Sequence, residues 1–146
     1  MKKPAAAFTL AMLVGGPAAA APLCDDMGFA GLLAKCNRGD PIELTLGSGK
    51  ELGEDRTLES GAYYQMTITA DGSAELALSG PDFFRAIWMD EIVINDIEIR
   101  PMAVDSFEFD DAGELELSFI AIKPGRHVLR IPGSTGESQM VTFTIQ

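Results

Sequence analysis

The sequence predicts an all-β fold, an antiparallel Greek-key β-sandwich preceded by a short N-terminal helix. Three observations carry that reading. From Pro41 onward apolar residues recur at every second position, the period of a strand with one buried face. The alternating runs are short and are separated by Gly, Pro, Asp and Asn, which favour turns. After residue 36 no long stretch carries the 3.6-residue spacing of an amphipathic helix. A chain of 146 residues is the size of one domain. Strands with one apolar face must bury it against a second layer, and about seven or eight of them make a sandwich.

The elements follow in order. Met1-Lys2-Lys3 is basic, Ala5 to Gly16 is apolar, and Pro17 precedes Ala18-Ala19-Ala20. That is a secretory signal with cleavage after Ala20, and its apolar run falls short of the ~20 residues that span a bilayer. The alternatives are an uncleaved anchor, or a lipoprotein signal at Cys24, where Pro22-Leu23 fits poorly. The Lys-Lys start and alanine-rich end have a bacterial look, and the expected destination is the periplasm, an oxidising compartment. Residues 21–40 form a segment of their own, with a short helix between Cys24 and Cys36: acids Asp25 and Asp26 in front, Lys35 behind, and apolar Phe29, Leu32 and Leu33 between. Outside the cytoplasm the two cysteines read as a disulfide that stabilises by about 2–3 kcal/mol. The alternative is a redox or metal pair, although the spacing is far wider than C-x-x-C.

The sandwich is expected over residues 41–146. Ile42, Leu44 and Leu46 share a face, and residues 47–56 are a flexible connection. Tyr63 to Thr69 is rich in aromatic and β-branched residues, Asp71-Gly72 turns the chain, and Ala74, Leu76 and Leu78 alternate. Ser79-Gly80-Pro81-Asp82 ends that strand and starts a helical turn through Phe83-Phe84-Arg85. Ile92 to Ile99, with Asn95-Asp96 inside it, reads as two short strands about a turn or as one bent strand. Phe107 and Phe109 lead to Asp110-Asp111-Ala112-Gly113, a hairpin turn, and then to Leu115, Leu117 and Phe119. Lys123-Pro124-Gly125-Arg126 is a further turn, and Val128–Ile131 and Val141–Ile145 are the last strands.

Charge and composition exclude several functions. The chain has 11 Lys and Arg against 22 Asp and Glu. Removing residues 1–20 takes away two lysines and no acid, so 9 bases against 22 acids leave −13. Such a surface repels phosphate backbones, which argues against nucleic acid. With the signal removed no membrane contact is expected, and the charge favours a cationic protein partner. There is no G-x-S-x-G, no H-E-x-x-H and no Gly-rich phosphate loop, so the chain is not expected to be an enzyme. Paired carboxylates stay open, because nothing in an acidic chain singles out a pair.

The segment Glu59 to Gln146 resembles a secreted cupredoxin-like domain. The resemblance rests on Glu59-Ser60-Gly61-Ala62-Tyr63-Tyr64, Phe83-Phe84, Lys123-Pro124-Gly125-Arg126-His127-Val128, and Met140-Val141-Thr142-Phe143-Thr144-Ile145. It implies a sandwich ending in Pro-Gly, a strand, a loop and a last strand. A type 1 copper centre in that family takes a cysteine thiolate, two histidines and often an axial methionine. Here Ile131-Pro132 stand where the cysteine would be. The loop Gly133 to Gln139 and the segment Phe84 to Met89 lack the histidines, and only Met140 lies where the axial ligand would. The resemblance thus implies the scaffold without the blue centre.

The remaining chemistry is sparse. His127 and Met140, joined by Met102 or Met89, are the ligand set of an atypical Met/His copper site, on which a copper-handling or electron-transfer protein would depend. Glu108, Asp110, Asp111, Glu114 and Glu116 read as solvated edge charges that discourage strand pairing. Phe83, Phe84, Arg85 and Trp88 make the densest aromatic segment, either a plug for the core or a contact surface for a protein partner, since Trp, Phe and Arg dominate binding hot spots. The preferred expectation is a periplasmic, non-catalytic binding or accessory module that acts on a protein partner without a cofactor.

Overall fold

The computed structural model describes residues 23–146, so the expected signal peptide and its cleavage site lie outside the described residues. Among the described residues ten strands form two five-stranded sheets packed face to face. In chain order they are β1 (Ile42–Leu46), β2 (Arg56–Leu58), β3 (Tyr63–Ala70), β4 (Leu76–Ser79), a single helical turn α1 (Pro81–Phe84), β5 (Ile87–Ile94), β6 (Ile97–Ile99), β7 (Ser106–Phe109), β8 (Gly113–Ala121), β9 (Gly125–Arg130) and β10 (Met140–Ile145). The first sheet runs β1-β3-β8-β5-β6 and the second β2-β10-β9-β4-β7. The all-β sandwich is therefore present as the alternation predicts.

Burial follows the pleat. Ile42, Leu44 and Leu46 of β1 are buried while Glu43 and Thr45 are exposed. Tyr64, Met66 and Ile68 of β3 pair with Phe119, Leu117 and Leu115 of β8, all facing inward. An aromatic cluster fills the centre. Phe83 lies 4.8 Å from Phe143 and 5.6 Å from Phe119, centroid to centroid, and Phe84 sits edge-on to Phe107 at 5.6 Å. Such edge-on and tilted pairs suit the ring quadrupoles. Phe83 is fully buried and Phe84 nearly so. The two leading aromatics of the expected contact surface therefore belong to the core, because α1 turns its inner side into the space between the sheets.

Other expectations are corrected by topology. Not every pair is antiparallel: β1 runs parallel to β3, and β2 parallel to β10. The Asp110–Gly113 turn is not a hairpin, because β7 pairs with β4 whereas β8 belongs to the opposite sheet. Asp71-Gly72 and Lys123–Arg126 likewise carry the chain from one sheet to the other. The Asn95-Asp96 turn is a true hairpin, with Ile94 opposite Ile97 and both turn residues at positive φ (49° and 61°). That backbone is the type I′ geometry, which matches the strand twist.

The short N-terminal helix takes the form of two 3₁₀ segments, Gly28–Leu33 and Lys35–Asn37. Gly31 breaks the first at φ 57°, ψ −138°, a conformation suited to glycine. The disulfide Cys24–Cys36 forms as expected, with 5.8 Å between Cα atoms. Asn37 ties this segment to the sandwich. Its buried amide donates to the carbonyls of Leu32 (2.9 Å) and Gly61 (2.8 Å), and its oxygen accepts from Leu23 N–H. The 47–56 connection is pinned rather than loose. Leu52 is fully buried, Leu52 N–H donates to Ser138 O, and Lys50 pairs with Asp71 at 2.6 Å.

Candidate functional site

The sequence breaks its own alternation at one place. Ile87 and Met89 face inward, but the next inward residues are Ile92 and Ile94, one position late. A β-bulge absorbs the slip: the β5–β8 register shifts between Met89 and Glu91, leaving Asp90 as the extra residue. Asp90 accepts from Tyr63 Oη (3.2 Å) and from Arg100 Nη1 (2.9 Å). Arg100 also reaches Glu91 (3.0 Å) and Glu98 (3.2 Å), and so clamps the start of the 101–105 segment to the outer face of β5. Burial, with the Asp90 carboxylate beside it, raises the Tyr63 phenol above its ordinary pKa, and burial does the same for Tyr64.

That segment, Pro101 to Asp105, crosses from β6 to β7 and encloses a cleft of about 500 Å³ against α1 and the start of β5. Phe84, Ile87 and Met89 are apolar parts of its lining, and Met102 and Trp88 stand at its mouth. Arg85 reaches Asp105 at 3.0 Å, a solvent-exposed pair that contributes at most about 1 kcal/mol. Trp88 is 48% exposed and Met102 fully exposed. Trp88 pairs with Ile120 across the ladder, which places Ile122, also 48% exposed, beside it on the same outer face. Three large apolar side chains and one arginine thus crowd one corner of the sandwich.

The expected residues separate accordingly. Arg85 and Trp88 are at the surface, while Phe83 and Phe84 are buried. Of the thioethers, Met89 and Met102 line the corner cleft. His127 and Met140 instead line a groove of about 300 Å³ on the second sheet, with Arg126 and Arg130. His127 is buried in β9 opposite Phe143, and its Nε2–H donates to the Lys123 carbonyl at 3.0 Å, an acceptor that fixes the tautomer. The four residues of the expected copper set therefore divide between two cavities. Among the described residues no group of three or more His, Cys, Asp or Glu side chains is placed to hold a metal. The donors do not fit a type 1 copper centre, which needs a thiolate and two imidazoles: both cysteines are bridged and the sequence has one histidine.

Sequence reasoning missed Ile122 and Met102 as members of the corner. The signal for Ile122 was present: Ile120-Ala121-Ile122 breaks the alternation of β8 with an apolar residue that the core has no place for.

Comparison with solved structures places this architecture. A multicopper oxidase superposes with a TM-score of 0.50 at 8% identity, over 73% of this chain and 44% of that one. The fold is cupredoxin-like. A multicopper oxidase from Campylobacter jejuni (TM-score 0.49, 8% identity, 74% of this chain and 30% of that one) is also similar. So is the copper nitrite reductase from Nitrosomonas europaea (TM-score 0.49, 13% identity, 63% and 32%). This chain spans less than half the length of these cupredoxin-like structures. The sequence matches no family model and no curated protein.

Proposed function

We propose that this chain is an exported, non-catalytic partner-binding module on a cupredoxin-like scaffold, and that its contact surface is the corner formed by Arg85, Trp88, Met102 and Ile122. One observation carries the reading: the fold buries Phe83, Phe84, Phe119 and Phe143 but leaves Trp88 and Met102 in water at one cleft, with Ile122 exposed next to Trp88 on the outer face of the ladder. An apolar cluster of that kind marks an interaction site in a soluble protein. Trp and Arg are the residues that most often carry binding energy. Periplasmic export rests on the N-terminal pattern Met1 to Ala20, and the preference for a cationic partner on the −13 charge.

A photo-crosslinking residue placed at 88 or 102 tests the surface in the producing cell, with position 43, exposed on β1 at the opposite edge of the same sheet, as control. A discrete adduct at 88 and 102, absent at 43 and abolished by Trp88→Asp when placed at 102, supports the reading. Equal labelling at all three positions, or no adduct, refutes it.

Copper handling is the second reading, and one observation favours it: the thioethers of Met89 and Met102 share a cleft, and thioethers suit Cu(I). Anaerobic Cu(I) titration decides. Stoichiometric uptake lost in Met89→Leu and Met102→Leu would favour copper; wild-type and variant behaving alike would favour the protein partner.

A further inference from the structure

We propose that the open side of the sandwich, between β6 and β7, docks a basic amphipathic segment of the partner protein. This rests on the reading of the chain as a partner-binding module, and it assigns a second surface and the chemistry that fits it. The register defines the surface. Ile99 pairs with Ile92 and Ile97 with Ile94, so both isoleucines of β6 lie on the face that is core elsewhere in the sheet. Ile92 is buried, yet Ile97 is 63% exposed and Ile99 42%. β6 and β7 are edge strands of the two sheets, kept together by the short connection 100–105, and β7 directs Phe107 and Phe109 inward without burying either fully. The apolar layer therefore continues past the point where the second sheet can cover it.

The rim of this strip is acidic. Asp96 and Glu98 stand on the β6 side and Glu108, Asp110 and Asp111 on the β7 side, all exposed. Only Glu98 of the five has a cationic partner among the described ion pairs, Arg100. A second copy of this chain does not fit, because a two-fold contact would set this carboxylate rim against itself on molecules that each carry a large negative charge. An anionic lipid surface is repelled for the same reason. The matching occupant alternates apolar residues, which enter the strip, with Lys or Arg, which meet the rim.

The test uses a fluorescent peptide of alternating Leu and Lys, about eight residues long as a strand is. A block peptide of the same composition serves as control, and binding to the folded protein is read by anisotropy. Tight binding of the alternating peptide is expected, weakened about tenfold by Ile97→Ser with Ile99→Ser and similarly by Asp110→Lys with Asp111→Lys. The same charge change at Asp25→Lys with Asp26→Lys should alter it less than about twofold. Failure of the alternating peptide to bind, equal binding of the block peptide, or equal loss in the Asp25/Asp26 variant overturns the proposal. Ile97 and Ile99 are exposed, so their variants keep the fold, and an unchanged melting curve verifies this. Trp88→Asp should leave peptide binding intact. Crosslinking at the corner can then fail while this site stands, and the reverse.

Discussion

Phe83 shows how one side chain decides between a core and a surface role. It is fully buried and touches Phe84, Phe119 and Phe143. Phe83→Ala is expected to destabilise the fold by about 3–5 kcal/mol, through lost transfer energy plus a cavity, measured by urea unfolding. Trp88→Ala, five residues on and half exposed, should change stability by less than about 0.5 kcal/mol in the same assay. The sequence made Phe83, Phe84, Arg85 and Trp88 one cluster. Composition could not divide them, because a single helical turn followed by a strand sends neighbours in opposite directions. Both tyrosine phenols are raised above their ordinary value of 10.0 by burial. A raised folded-state pKa means that the folded protein holds its protons more tightly. The contribution is thus complete below about pH 10 and is lost as pH climbs through the folded value. Absorbance at the phenolate band should show no tyrosine step at pH 10, and melting temperature should fall above it. A normal titration of either residue would contradict the burial that shields it.

At the scale of elements, strands were legible and their neighbours were not. Alternation in Ile42–Leu46 or Gly113–Leu117 states that one face is buried, but it is silent on which strand lies alongside. The turn Asp110–Gly113 therefore suggested a hairpin where the chain changes sheets, as it also does at Asp71-Gly72. The parallel pairings of β1 with β3 and β2 with β10 join distant segments, which turn chemistry does not encode. The Asn95-Asp96 hairpin was half legible, and its strain can be relieved. Asp96 sits at φ 61°, so Asp96→Gly should raise stability by roughly 0.5 kcal/mol, measured by thermal unfolding. The short N-terminal helix was legible but not its type: Gly28 and Gly31 adopt positive φ, which holds it to short 3₁₀ turns. Removing the disulfide with Cys24→Ser and Cys36→Ser should lower stability by about 2–3 kcal/mol while leaving the β spectrum by circular dichroism unchanged, since the bridge closes a segment outside both sheets. Loss of the β signal itself would mean that the segment is needed to build the sandwich.

For the whole molecule, the scaffold was legible and the site only partly so. The order of short strands and turns pointed to the cupredoxin-like arrangement. The corner of Arg85, Trp88, Met102 and Ile122 joins residues from α1, β5, the 101–105 crossing and the end of β8, and only folding brings these together. The −11 charge of the chain was readable from composition, and its consequence belongs to this scale: association with the proposed cationic partner should slow as salt is raised, with dissociation much less affected. Stopped-flow measurements at two ionic strengths check this, and a salt-independent on-rate would remove the steering argument.

The pairing of β2 with β10 constrains when this protein can become itself. Thr142 N–H donates to Asp55 across a gap of 87 positions, and Phe143 aligns with Arg56. The second sheet consequently has no complete edge until β10 has been synthesised, and a ribosome-bound fragment ending before Met140 holds β2 and β9 with no strand between them. Slow, late closure of this kind keeps the nascent chain extended until its last strand has emerged.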